Sequence, residues 1–391
     1  MSGLIIPSQR MQDLPEYLFG KLNAEKQKRR AEGKDIIDFG MGNPDMPASR
    51  EIVEKVHEVI DDDKAHRYSR ATGIPHLLLA VADHYKEQYG VHLDPEKQVI
   101  ATIGSKEGLS HLTLALLGPG DSCAVPAPYF PVHMWSAIIA GAEVQNFPVT
   151  NNPDVLIASL ESLPVKPKVV FLNYPHNPTG TTVERSFFEK VVPYCKEKQI
   201  IIIQDFAYKD ITYDGYKAPS MLEVEGAEDI AVEFFTMSKS YNMAGWRCGF
   251  CVGNAEIIAH LARIKSFFDY GMFTPIQVAA ITALRKGQGQ VAEIAQKYEN
   301  RRNTLVEGLA RYGWHIPKER GAMFVWAPLP EAHQEMGSLA FAEWLLNEAD
   351  VLVSPGIGFG PSGEGYVRMS LVENTQRIRQ AVRNIGKVLG K

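Results

Sequence analysis

Between residues 235 and 247 an apolar run, Phe235-Thr236-Met237, breaks into Ser238-Lys239-Ser240, and Arg247 follows eight residues after the lysine. A lysine at the mouth of a buried strand is short of water, and a nearby cation adds to that pressure. Both effects lower its pKa and release a neutral, nucleophilic amine. Such an amine forms a Schiff base with a carbonyl. The Arg247 guanidinium and the hydroxyls of Thr236 and Ser238 suit a phosphate on the same ligand. Carbonyl and phosphate together point to pyridoxal 5′-phosphate.

Other stretches carry matching chemistry. Asp205 ends the apolar run 200–204; facing a pyridine nitrogen, its carboxylate would keep that nitrogen protonated and make the ring an electron sink. Tyr208, three residues on, and Asn177, held ahead of Pro178, offer hydrogen bonds to a phenolic oxygen. Tyr129, after Pro128, offers a ring to stack on a flat cofactor. Ser105-Lys106-Glu107 opens a helix after a strand, where free N–H groups and the positive dipole end suit a phosphate. Arg368 lies within the apolar strand 366–370, where its planar fork suits a substrate α-carboxylate. Each has a plainer use taken alone: Ser105 as an N-cap, Asn177 in an Asx turn, Asp205 as a loop cap, the tyrosines in core or surface, Arg368 in a structural ion pair.

The elements that must position these residues are legible as alternating strands and helices. Strands are expected at 99–103, 122–125, 169–173, 200–204, 233–237 and 249–252, mostly separated by helix-length segments including 129–140. Continuous Val/Ile/Phe runs suit strands buried on both faces, so the fold class is α/β with a mostly parallel sheet. The polar candidates then fall at the carboxyl ends of parallel strands, where ligands of such sheets sit. Beyond about residue 285 a long polar helix, 288–312, leads to strands at 323–327, 351–353 and 366–370 and helices at 339–348 and 375–389. We therefore expect a large cofactor-binding domain over 46–285. A smaller α+β domain would be built from 286–391 with the segment 1–45. Gly40-Met41-Gly42 and the glycines at 356, 358 and 360 lack dinucleotide-loop spacing and suit close backbone approach or tight turns.

Taken together, and in order along nearly the whole chain, these residues resemble the class I/II aminotransferases of fold type I. The matching motifs are Gly42-Asn43-Pro44, Tyr68, Gly104-Ser105-Lys106-Glu107, Tyr129, Asn177-Pro178-Thr179-Gly180, Asp205 to Tyr208, Ser238-Lys239 with Arg247, and Arg368. Within the family, residues 103–109, 238–246 and 353–360 are most similar to bacterial glutamate–pyruvate (alanine) aminotransferases. The resemblance implies a seven-stranded sheet and a covalent cofactor on Lys239. It implies that Asp205 pairs with the pyridine nitrogen, Asn177 and Tyr208 bond the ring oxygen, and Tyr129 stacks. Ser105, Lys106, Ser238 and Arg247 would hold the phosphate, with Thr236 standing where many relatives have serine. Gly42, Asn177 and Arg368 would meet the substrate. Tyr68 would reach the phosphate of a neighbouring subunit's cofactor, implying a homodimer. The implied reaction exchanges an amino group between an L-amino acid and a 2-oxo acid, alanine and 2-oxoglutarate foremost. Other readings are LL-diaminopimelate, methionine or aromatic transamination, a β-lyase, and a non-catalytic cofactor-binding regulator. Arg67 and Arg70 are candidates for a distal substrate carboxylate.

Composition narrows the classes further. The chain has 391 residues, 45% hydrophobic and 22% charged, with a net charge of -5, so it lacks the basic field that nucleic acid requires. Four cysteines make no disulfide framework. Cys248 and Cys251 fall on opposite faces of one strand, which argues against a shared zinc. The first seven residues are too short in apolar character for a secretory leader, and no run approaches a membrane span, so a cytoplasmic enzyme is expected.

Overall fold

Continuous apolar runs such as Val169-Val170-Phe171-Leu172 need cover on both faces, and the computed structural model supplies it. It describes residues 7–14 and 18–390; residues 1–6, the greater part of the segment considered as a leader, lie outside them. Twelve strands occur among the described residues. They are β1 (Ile37–Asp38), β2 (Val99–Thr102), β3 (Ser122–Ala127), β4 (Glu143–Pro148), β5 (Val169–Asn173), β6 (Ile201–Asp205), β7 (Ala231–Thr236), β8 (Gly249–Gly253), β9 (Phe324–Pro328), β10 (Val351–Leu352), β11 (Ser354–Pro355) and β12 (Tyr366–Ser370).

Seven of these form one sheet in the order β2-β8-β7-β6-β5-β3-β4. Strand β8 runs antiparallel to both of its neighbours, and the remaining pairings are parallel. One face is covered by helices Ser105–Leu116, Pro131–Ala140 and Ala255–Phe268, whose Leu109, Leu112, Val132 and Leu261 pack on Ile100, Phe171 and Phe234. The other face takes Leu77 and Val81 of helix Pro75–Tyr89, Phe187 and Val191 of helix Arg185–Glu197, and Ala279 and Ala283 of helix Thr274–Lys286. Strands β5, β6 and β7 are in register such that Asn173 lies opposite Asp205, and Asp205 opposite Phe234. Their carboxyl ends therefore present Asn173, Asp205 and Thr236 along one rim.

A second core lies between the antiparallel sheet β11-β12-β9 and helices Gln288–Ala310, Gly337–Ala349 and Thr375–Leu389. Asn374 caps the last helix, its side chain accepting from Arg377 N at 3.0 Å. The N-terminal part of the chain joins this core, because β1 pairs with β10 and buries Ile37 and Phe39.

All four cysteines are buried and unbridged. Cys248, just ahead of β8, and Cys251, within it, belong to the cores on opposite faces of the sheet. Burial pushes the Cys123 and Cys195 thiols up to about 12.

Candidate active site

The rim formed by β5, β6 and β7 opens on a cavity of about 320 Å³ whose lining includes Lys239, Asp205, Asn177, Tyr208, Arg247 and Arg368. Residues as distant in sequence as Asn177 and Arg368 thus line one cavity.

Lys239 rides on the single helical turn Met237–Ser240 directly after β7, with Thr236 as N-cap accepting from Ser238 N at 3.1 Å. Its Nζ donates to Gly42 O at 2.7 Å. Burial first, then the positive charges of Arg368 and Arg247, lower its pKa to about 8. A neutral amine is the nucleophile, so reactivity must grow as pH rises through that value. The rate at which cofactor-free protein takes up pyridoxal 5′-phosphate is therefore expected to climb between about pH 7 and 9 and to level off above. Stopped-flow absorbance would show this, and a midpoint still near the ordinary lysine value would remove the electrostatic basis for it.

Beside the lysine lies a corner built for an anion. Thr236 Oγ1 donates to Ser238 Oγ at 2.8 Å, and both residues face the cavity. Arg247 is held by its Nη1 bond to Ala244 O at 2.8 Å, in left-handed backbone geometry (φ 55°). Helix Ser105–Leu116 points its N-terminus at the same corner. Here Gly104, not Ser105, occupies the N-cap, and no side chain caps the helix. The free N–H groups of its first turn remain available. Gly104 needs to be glycine twice over: its φ is +77°, and a Cβ would lie 2.2 Å from Arg247 Nη2. Lys106 lines the cavity through an exposed side chain.

At the floor, Asp205 Oδ2 lies 2.9 Å from His133 Nε2, and Asp205 Oδ1 accepts from Ala207 N at 3.2 Å. His133 is fully buried and stacks on Phe171. Nothing local in the sequence singles it out; only the packing of helix Pro131–Ala140 over β6 brings it to Asp205. Asn177 Nδ2 donates to Tyr208 Oη at 3.4 Å, while Asn177 Oδ1 accepts from Arg368 Nη1 at 3.0 Å. The arginine thus fixes the amide with its NH2 turned toward Tyr208. Burial raises the Tyr208 pKa above the ordinary tyrosine value, which keeps its hydroxyl a donor.

One expected residue is displaced by its neighbour. Tyr129 is packed against Gly360, where a Cβ would come within 2.5 Å of the ring, and its N–H donates to Phe359 O at 2.9 Å. Phe130 and Pro131 line the cavity instead. The helix starts at Pro131, and Phe130, its N-cap, is in extended geometry. Phe130 rather than Tyr129 is thus the ring that faces the cavity.

Arg368, in the middle of β12, completes the far wall. Its Nη2 donates to Gly40 O at 3.1 Å, and its guanidinium carbon lies 4.2 Å and 4.6 Å from the ring centres of Phe324 and Phe359. Gly40 N in turn donates to Asp38 Oδ1 at 2.8 Å, and Asp38 Oδ2 pairs with buried Lys26 at 2.7 Å. The neighbouring Leu22 and Asn23 of helix Leu18–Ala31 line the cavity. Lys26 thus braces the turn that receives Arg368. Lys26→Met is expected to raise KM for the amino acid roughly tenfold while kcat changes less than about threefold, which steady-state kinetics would show. An equal fall in both kcat and kcat/KM would place the pair elsewhere in the reaction. Gly42 must lack a side chain, since a Cβ would strike Phe324 at 2.7 Å.

Tyr68, Arg67 and Arg70 are not brought to this cavity. Tyr68 is 83% exposed and packs on Tyr270 with ring centres 4.5 Å apart. Arg70 pairs with Glu96 at 3.0 Å. The residues that do converge fit a flat pyridine carrying an aldehyde and a phosphate: a depressed lysine, a carboxylate at the floor, a neutral hydrogen-bonding pair, and a hydroxyl and guanidinium corner at a helix N-terminus.

Comparison with known proteins agrees with this geometry. The family model described as aminotransferase class I and II matches residues 34–385. The glutamate-pyruvate aminotransferase AlaC of Escherichia coli is 51% identical over 380 residues, covering 96% of this chain and 92% of that one. The LL-diaminopimelate aminotransferase of Syntrophobacter fumaroxidans is 41% identical, covering 98% of this chain and 99% of the relative. Substrate-bound BacF from Bacillus subtilis superposes with a TM-score of 0.91 at 34% identity over 98% of each chain.

Proposed function

Because the chain belongs to the aminotransferase class I and II family and is a pyridoxal 5′-phosphate-dependent transferase, we propose that it exchanges the amino group of L-alanine with 2-oxoglutarate, giving pyruvate and glutamate. The observation that carries the alanine assignment is the 51% identity to a glutamate-pyruvate aminotransferase over 96% of the chain. The relatives named for LL-diaminopimelate, at 41% and 40%, are the competing choice.

Pyridoxal 5′-phosphate, when bound, supplies an aldehyde that takes up the amino group and a ring that accepts the electron pair from Cα. The rest falls to this chain's own side chains. Lys239 would hold the cofactor until substrate displaces it, and its freed, neutral amine would then carry the proton away from Cα. Asp205, steadied by His133, would keep the pyridine nitrogen protonated. Asn177 and Tyr208 would bond the ring oxygen, and Phe130 would cover the ring. Ser105, Lys106, Ser238, Thr236 and Arg247 would hold the phosphate. Arg368 would grip the substrate carboxylate, and the Gly42 backbone would approach it closely. With one product leaving before the second substrate enters, ping-pong kinetics follow.

The exposed rings Phe267, Phe268 and Tyr270, beside Tyr68, support assembly as a homodimer through that face. Four unbridged thiols support a reducing, cytoplasmic setting, and among the described residues no helix is long and apolar enough to cross a membrane.

Substrate choice is tested by following the loss of the enzyme's visible absorbance with each of twenty amino acids and LL-diaminopimelate, one half-reaction at a time. Fastest bleaching by alanine and glutamate is expected. Faster bleaching by LL-diaminopimelate than by alanine would transfer the assignment to that substrate.

A further inference from the structure

Glu107 sets an electrostatic problem. It lies in the first turn of helix Ser105–Leu116, beside the end that would hold the cofactor phosphate. A carboxylate so placed repels a phosphate dianion in a site only partly open to water. It is also fixed there, because its Oε2 accepts from Ile103 N at 2.8 Å.

The counter-charge comes from Lys265, which is fully buried although it lines no part of the cavity. Its Nζ donates to Glu107 Oε1 at 2.8 Å and to Asp269 Oδ2 at 2.9 Å. A buried ammonium is costly unless it is paired and hydrogen-bonded, and both conditions are met. Asp269 Oδ1 accepts from Gly271 N at 2.7 Å. Gly271 in turn packs against Arg70 and Ala71 so closely that a Cβ would lie 2.8 Å from Arg70 O. His111 sits beside Glu107 at 2.5 Å and stacks on Phe268. Glu107, His111 and Asp269 could be taken for metal ligands, but the ammonium of Lys265 already occupies the place between the two carboxylates.

We propose that Lys265 is a positioning residue for the cofactor phosphate: its ammonium, shared with Asp269, offsets the charge of Glu107 and ties the turn ahead of helix Ser105–Leu116 to the loop that follows helix Ala255–Phe268. The role rests on the phosphate of pyridoxal 5′-phosphate occupying that helix end. It belongs to a side chain that touches neither cofactor nor substrate.

The test compares dissociation constants for pyridoxal 5′-phosphate and for pyridoxal, the same aldehyde without phosphate, by protein fluorescence on the full chain resolved of its cofactor. Lys265→Met is expected to weaken pyridoxal 5′-phosphate about tenfold and pyridoxal by less than about twofold. The double variant Glu107→Gln/Lys265→Met removes the repulsion together with its remedy and should return to within about threefold of the unsubstituted protein. Should Lys265→Met fail to fold, Glu107→Gln alone decides. Its amide oxygen still accepts from Ile103 N–H, and it should bind pyridoxal 5′-phosphate at least as tightly as before.

Equal weakening of both ligands by Lys265→Met, no weakening of either, no recovery in the double variant, or poorer binding in Glu107→Gln would each overturn the role. An unsubstituted protein that binds pyridoxal as tightly as its phosphate would bring down the phosphate placement and this role together. A preference for the phosphate form that is undiminished in Lys265→Met would bring down the role alone.

Discussion

Lys239→Ala is expected to reduce kcat for transamination by about 10⁴-fold or more, the largest effect of any single substitution in the cavity. The amine is asked to hold the cofactor and then to move a proton, and alanine does neither. Its one side-chain hydrogen bond goes to Gly42 O, a carbonyl that can turn to water. The variant should therefore fold, keep its two cores, and still bind pyridoxal 5′-phosphate through the anion corner. Borohydride treatment followed by peptide mapping should leave a pyridoxyl group on the Lys239 peptide of the unsubstituted protein and none on the variant. Turnover above about 1% of the parent rate, with that peptide unlabelled, would show that another base does the work.

Asp205→Asn comes second, with the half-reaction on alanine expected to slow on the order of 10³-fold. Asparagine preserves the shape, and its carbonyl oxygen can still receive the Ala207 N–H. What it loses is the negative charge beside His133 Nε2. Without that charge a pyridine nitrogen has no reason to keep its proton, and the ring becomes a poor acceptor of the electron pair. Cofactor affinity should change far less than the rate, because the phosphate corner is untouched. Stopped-flow bleaching by alanine measures the rate, and a value within about tenfold of the parent would detach Asp205 from the chemistry.

Much of the fold and of the cavity's lining was legible in the sequence because the candidate residues sit at the ends of strongly patterned elements. β5, β12 and helix Thr375–Leu389 have the bounds their apolar runs suggest. Lys239, Asp205 and Arg368 each follow from a polar residue ending or interrupting such a run. β4 is not evident in the sequence because it is an edge strand, with Gln145 and Phe147 buried but Glu143, Asn146 and Pro148 exposed. β1, of two residues, exists only by pairing with β10 more than three hundred positions away. Tyr129 was the ring expected at the cavity, and Phe130 lines it because the helix begins only at Pro131, a boundary that is hard to read from sequence. His133 and Lys265 are further out of reach. Each gains its significance from a carboxylate on another element, Asp205 in one case and Glu107 in the other.

The four cysteines, distributed between the two faces of the large sheet, amount to a built-in chronometer for unfolding. A thiol shielded from water and pushed up toward 12 gives almost no thiolate at neutral pH, so an alkylating reagent finds nothing to attack while the sheet is closed. Iodoacetamide uptake over hours should then count excursions of the sheet into open forms, and mass spectrometry of the Cys195 and Cys251 peptides would tell which face had parted first.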